Sequence, residues 1–231
     1  RALQGVNCFA TMVGTSLEGI AAAAGPDVAS AIRENGFESL HKHVAGNVLF
    51  DIQQATYAKY KDAAPKIVPV VLRFLFGNGV YFYEKGPNVR FHVPFEFAKA
   101  LPGIADFQWS GKIVPHGPHH DSWYQCPRNS IDLWIAVGRV EKGNGLSIYP
   151  DVFGKHLACD DEGNIGRSQR LGTPYNFEMD PGDVLIFNGE HLHSSELNRT
   201  NSTRHVVSFR ITFGFLGWTA HDYRIVKLGA N

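Results

Sequence analysis

The segment His116-Gly-Pro-His119-His120-Asp121 places an imidazole and a carboxylate two residues apart. On extended chain, side chains alternate between the two faces, so His119 and Asp121 point the same way and His120 points away. One histidine and one carboxylate from a single strand end supply two ligands of a 2-His-1-carboxylate site. Such a site leaves open positions on a non-haem Fe(II) ion. The third ligand is expected from a histidine well downstream. The segment Asp183-Val-Leu-Ile-Phe-Asn-Gly-Glu-His191-Leu-His193 offers two, His191 and His193, again on one face, and spacing alone leaves both open.

The elements that must hold these residues are strands. From Ile67 onward, segments rich in Val, Ile, Phe and Tyr alternate with Gly and Pro. They are Val68–Phe76, Val80–Tyr83, Val89–Val93, Ile131–Val140, Leu146–Tyr149, Val184–Phe187 and His205–Phe215. Many short strands with frequent turn signals predict a sandwich or barrel rather than βαβ units. The last strand is the most telling. Arg204, Val206, Ser208, Arg210 and Thr212 share one face, while His205, Val207, Phe209, Ile211 and Phe213 share the other. The apolar face is expected to pack under helices and the polar face to line an interior cavity. Upstream, Asp27–Asn35 reads as a helix with Asp27 as its N-cap. A second helix is expected from about Val48 to Ala63, ending before Pro65. The whole of 1–231 reads as a single domain, with a mostly helical support over 1–66 and a β core over 67–217.

Composition narrows the function classes. Twenty-two basic residues balance 22 acidic ones, and the formal charge is zero. No nucleic-acid footprint is expected, because that requires a local excess of Lys and Arg. No apolar run reaches the length of a membrane span; Ile67–Phe76 is short and carries Arg73. Three scattered cysteines (Cys8, Cys126, Cys159) make neither a disulfide framework nor a Cys-rich zinc site, so a reducing, cytoplasmic setting is the default. The sequons at Asn198 and Asn201 are read as chance matches.

Taken in order, the motifs resemble a known family. His119-x-Asp121 is followed by Asn144-Gly-Leu-Ser-Ile-Tyr-Pro150, Pro181-Gly-Asp-Val-Leu-Ile-Phe and His193-Ser-Ser-Glu-Leu-Asn198, and then by Arg204. From about Trp109 to Phe215 this resembles the phytanoyl-CoA dioxygenase family of Fe(II)/2-oxoglutarate oxygenases. The resemblance implies a mainly β double-stranded β-helix (a jelly roll, cupin-like) flanked by N-terminal helices. It selects His193 as the distal ligand and leaves His191 as a cavity neighbour. It assigns the distal carboxylate of 2-oxoglutarate to Arg204, eleven residues after His193, with Ser208 as an accompanying hydroxyl and Arg210 in reserve. The implied cofactor set is Fe(II), 2-oxoglutarate and O2. The implied reaction releases succinate and CO2 and oxidises a small-molecule metabolite, with hydroxylation as the default because Asp121 is a carboxylate. Ser195 and Glu196 depart from the family's small residues, and Pro150-Asp-Val-Phe-Gly-Lys-His156 departs from its usual loop ending.

Substrate contacts are expected among Arg73, Tyr81, Tyr83, His116, Trp123, Tyr124, Asp132 and Trp134, with Lys112 at the cavity mouth. Two other readings are carried. A cupin-like iron enzyme without 2-oxoglutarate predicts a dispensable Arg204. A non-catalytic β-sandwich binding protein predicts no stoichiometric iron.

Overall fold

The computed structural model describes residues 2–101, 115–161, 163, 165 and 169–229. Four α-helices are described: α1 (Asn7–Ala24), α2 (Pro26–Asn35), α3 (Leu49–Phe76) and the short α4 (Phe95–Ala98). The nine described strands are β1 (Gly79–Glu84), β2 (Asn88–His92), β3 (Ile131–Ala136), β4 (Leu146–Ile148), β5 (Tyr175–Asn176), β6 (Val184–Asn188), β7 (His193–Ser195), β8 (Arg204–Phe213) and β9 (Tyr223–Leu228). The predicted mainly β composition is corrected here. Helices α1–α3 alone hold more residues than the nine strands together, so the architecture is mixed: a helical layer against two antiparallel sheets.

The larger sheet runs β6-β3-β8-β1-β9, with β2 also paired to β8. The smaller runs β5-β4-β7. Strand β8 is the longest, at 10 residues, and serves three neighbours. Its first half pairs with β2 (His92 opposite Arg204, Asn88 opposite Ser208) and its second half with β1 (Tyr83 opposite Ile211). Along its other edge β3 sets Trp134 opposite Ser208 and Asp132 opposite Arg210.

The predicted strand Val68–Phe76 is the final third of α3. The residues Ala64, Ile67, Val68, Val71 and Leu72 are buried at helical spacing, and this stripe outweighs both their β-branched character and the two prolines. Pro65 and Pro69 each remove one backbone N–H donor, yet the helix continues through them because its apolar face stays packed on the sheet. Helix α1 had no counterpart among the expected elements. It crosses α3 closely at Gly19, where a Cβ would lie 2.4 Å from the Thr56 Cα. Helix α2 begins at Pro26, with Gly25 rather than Asp27 at the N-cap. The predicted N-terminal support therefore extends to Phe76, and β9 adds a strand beyond the predicted core. No described helix is long and apolar enough to cross a membrane.

The alternation of β8 divides its side chains as its sequence predicts. Val207, Phe209 and Ile211 join the helix-side core with Leu133 and Ile135. His205, on the same face, is fully buried between Phe91 (stacked, 4.0 Å) and Phe37. Its Nε2 meets the Ser16 hydroxyl at 2.7 Å, and Ser16 meets the Tyr60 hydroxyl at 2.9 Å, tying α1 and α3 to the sheet.

Burial pushes the His205 ring down to about 3, from an ordinary 6.5. Below pH 6.5 the unfolded chain takes up a proton that the folded chain refuses, so stability is lost as pH falls toward 3. Between pH 6.5 and pH 5 this one ring accounts for about 2 kcal/mol. Urea unfolding at pH 7 and pH 5 should show a smaller pH-dependent drop in His205→Asn than in wild type. An equal drop would refute this role for the ring.

Candidate metal centre

The chain from His116 to Asp121 runs beside β7 and pairs with it through an isolated antiparallel bridge at His119. His119 and His193 exchange backbone hydrogen bonds (N to O 2.9 and 3.1 Å), and the Ser195 N–H donates to His116 O at 3.0 Å. This pairing brings residues 74 positions apart in sequence side by side. The Asp121 N–H then donates to Gly189 O at 2.9 Å, and a 3-10 turn at Asp121–Tyr124 carries the chain away. Gly189 is needed at this point. A Cβ there would stand 3.0 Å from both Cβ and Oδ2 of Asp121.

His119, Asp121 and His193 are all buried, with potential ligand atoms within 4.8 Å of one another. The two Nε2 atoms lie 3.9 Å (His119) and 3.8 Å (His193) from the same oxygen, Oδ1 of Asp121. On each ring Nδ1 is taken by a backbone carbonyl, Gly117 O at 2.7 Å for His119 and His191 O at 2.8 Å for His193. With Nδ1 donating its proton there, each Nε2 presents a lone pair to the shared space. Burial, followed by the neighbouring histidines, holds His119 well below its ordinary value; burial likewise lowers His193. Both rings are therefore neutral at physiological pH, the state in which imidazole binds a metal. Two neutral Nε2 donors and a carboxylate oxygen facing one point fit a divalent iron ion with one side left open.

Arg210 holds the carboxylate in place. Its Nε and Nη2 donate to Oδ2 and Oδ1 of Asp121 at 2.7 and 2.9 Å, and its Nη1 donates to Glu84 at 3.0 Å. Burial would raise the Asp121 carboxyl, but Arg210 and His193 overcome it and keep it well below the usual carboxylate range. Asp132 lies 3.7 Å from the same guanidinium. Burial and the adjacent Asp121 push its carboxyl well above the usual range, which favours the protonated form. Arg210 is thus committed to carboxylates and is not free for the cosubstrate role held in reserve for it.

The ligands open onto a cavity of about 370 Å³ that also takes in Arg90, His116, Tyr124, Asp132, Trp134, Ser195, Arg204 and Ser208. Arg204 is only 2% exposed. Its Nη1 donates to the carbonyls of Asn144 and Gly145 at 2.7 and 2.8 Å, its Nη2 reaches the Ser195 hydroxyl at 3.4 Å, and its guanidinium lies 5.3 Å from the Trp134 ring centroid. Its Nε is buried without a partner among the described residues. The Asn144-Gly145 carbonyls are fixed from behind by Glu196, whose side chain accepts from the Gly145 N–H at 2.9 Å.

Of the expected substrate residues, His116, Tyr124, Asp132 and Trp134 line this cavity. His116 packs on His119 (ring centroids 4.0 Å) and pairs with the Tyr124 hydroxyl at 3.0 Å. Four expected residues lie elsewhere. Arg73 is exposed on α3, because its segment is helix rather than strand. Tyr81 and Tyr83 share the helix-side face of β1; the Tyr81 hydroxyl donates to Gly77 O and its ring packs on Phe76 and Phe213. Trp123 lies edge-on to His120 and lines a separate surface pocket. His191 stacks on Phe153 outside the cavity. Lys112 lies outside the described residues. Sequence reasoning missed Arg90, Glu84 and Arg210's role, and it set Ser195 aside as a departure. The alternation Asn88-x-Arg90-x-His92, reading polar on one face of a predicted strand, was the available signal for Arg90.

Alanine at His119, Asp121 or His193 should abolish stoichiometric Fe(II) binding in equilibrium dialysis while leaving the far-ultraviolet circular dichroism intact. Gly189→Ala should weaken binding at least tenfold by displacing Asp121. Wild-type affinity in Gly189→Ala would refute the packing argument. Arg210→Leu leaves buried carboxylates without a counter-charge and should cost about 3–5 kcal/mol of stability by denaturant titration.

Comparison with known proteins agrees with this geometry. Residues 104–206 match the phytanoyl-CoA dioxygenase (PhyH) family. No curated protein matches the chain. Among solved structures, the apo form of ThoJ, described as a non-heme monooxygenase, superposes with a TM-score of 0.55 at 14% identity, covering 96% of this chain and 77% of that one. Its nickel complex superposes with a TM-score of 0.51 at 15% identity, covering 95% and 77%. At such identities the likeness concerns the fold. The stretch that matches the phytanoyl-CoA dioxygenase family, 103 of the 231 residues, holds all three metal-facing residues and Arg204.

Proposed function

We propose that this protein is an Fe(II)/2-oxoglutarate-dependent dioxygenase that oxidises, most simply by hydroxylation, a small-molecule substrate. The observation that carries this reading is Arg204. A guanidinium buried to this degree, with its Nε unpaired, is expensive unless an anion joins it. It lines the same cavity as the metal-facing His119 and His193. A dicarboxylate chelating the metal at one end can present its other carboxylate to this cation. Burial and the nearby Arg90 charge bring the Arg204 pKa down to about 9, so it stays protonated at neutral pH.

In this reading His119, Asp121 and His193 hold Fe(II), and Arg204 clamps the distal carboxylate of 2-oxoglutarate. Ser195, whose hydroxyl already touches Arg204, donates a second hydrogen bond. Ser208 lines the cavity further along β8, toward Arg210. Trp134 covers one face of the guanidinium and, with Leu146, Phe187 and Val206, keeps water from the cosubstrate. When bound, the iron with 2-oxoglutarate and O2 supplies the oxidising chemistry, releasing succinate and CO2. The chain itself fixes both imidazole tautomers through Gly117 O and His191 O and keeps Asp121 ionised through Arg210.

Anaerobic addition of Fe(II) and then 2-oxoglutarate should give a weak visible charge-transfer band that requires both. In Arg204→Leu the 2-oxoglutarate concentration needed for half the band should rise about 10- to 100-fold, the worth of a charge-assisted hydrogen bond or two. Iron binding without any band would favour an iron enzyme that does not use 2-oxoglutarate.

A further inference from the structure

Three guanidiniums face the cavity, and two have evident counterparts. Arg210 is taken up by Asp121 and Glu84, and Arg204 is held by two carbonyls and Ser195. Arg90 differs. It stands opposite Val206 on the inner face of β2, with Asn88 two residues away on the same face. Its side chain lines the cavity with His116, His119 and His193. Among the described residues its guanidinium takes part in no hydrogen bond or ion pair. Burial and the Arg210 charge bring its pKa down to about 10, which leaves it charged at neutral pH. Arg90 is half-buried, and a cation lining a metal site with no counter-ion among the described residues calls for one.

We propose that Arg90, with Asn88 beside it, binds a carboxylate of the primary substrate, so that the enzyme acts on a small carboxylate-bearing molecule. This rests on the reading above, because it assigns Arg204 to 2-oxoglutarate. Charge balance favours a single negative charge. The divalent ion and the doubly charged cosubstrate cancel, Arg210 with Asp121 and Glu84 carries one net negative charge, and Arg204 and Arg90 add two positive ones, so one positive charge is left over. The position favours substrate over cosubstrate. Arg90 lines the cavity together with His116, whose ring packs against His119. An anion on Arg90 therefore lies along the His116 side of the metal ligands, whereas Arg204 is anchored to the Asn144-Gly145 turn.

The probe is acetate, observed by broadening of its methyl proton resonance in the presence of Mn(II)-loaded protein saturated with 2-oxoglutarate. Inorganic phosphate, observed by ³¹P broadening, is the competing arm. Wild type should broaden acetate saturably and more strongly than phosphate at equal concentration. Arg90→Gln should lose at least fivefold of the acetate effect, Arg90→Lys should recover part of it, and the 2-oxoglutarate midpoint in the Fe(II) charge-transfer titration should stay within twofold. Acetate broadening unchanged in Arg90→Gln would overturn the proposal. A tenfold weaker 2-oxoglutarate midpoint in that variant would overturn it too, moving Arg90 to the cosubstrate. Preferred phosphate binding would overturn the carboxylate assignment. If the wild-type band itself is absent, the 2-oxoglutarate reading fails separately. The acetate arm is then run on the metal-only protein, with Arg204→Gln as the parallel variant, and loss in Arg204→Gln but not in Arg90→Gln overturns the proposal.

Discussion

Strand β8 must satisfy two incompatible solvents at once. One face meets the helical layer and is apolar apart from His205; the other faces a cavity and carries Arg204, Ser208 and Arg210. The pleat enforces this division residue by residue, because a slip of one position would send two arginines into the helix-packed core and Phe209 and Ile211 into the cavity. Register on β8 in turn fixes the neighbours. Asp132 falls opposite Arg210, Trp134 opposite Ser208, and Arg90 opposite Val206. The cavity's chemistry is thus a consequence of pairing along one strand, and the helices α1 and α3 stabilise that pairing from behind through His205, Ser16 and Tyr60.

The second organising feature is the crowding of carboxylates. Asp121, Asp132 and Glu84 meet around a single guanidinium, and His221 adds a contact of 2.9 Å to Glu84. Ionising all three beside one cation would leave excess negative charge in a poorly hydrated space, so the equilibrium shifts toward one protonated member, Asp132. The result is a polarised wall in which the carboxylate facing the histidines is the one kept ionised.

Much of the site was legible because its signals were local or ordered. The two-residue spacing of His119 and Asp121, the alternation of β8 and the motif order together gave the metal-facing residues and the inward Arg204. Three things were not legible. Helix α3 was cut short at Pro65, because β-branched residues after a proline read as strand; only their i, i+3, i+4 burial in tertiary context shows the helix. Tyr81 and Tyr83 were expected at the cavity, but which face of β1 points inward depends on its register against β8, a partner more than a hundred residues away. Arg210's grip on Asp121 likewise joins elements 89 residues apart and leaves no local trace.

That grip bears on how the protein acquires its ion. In small metallodomains the ion supplies the cohesion, and stripping it unfolds the chain. Here the carboxylate is already neutralised by Arg210, and both imidazoles are already oriented by main-chain carbonyls. Assembly of the polypeptide and loading of iron are therefore separable events. In the reading proposed above, iron enters a chain whose ligands are already oriented, so its loading and loss do not require the chain to unfold.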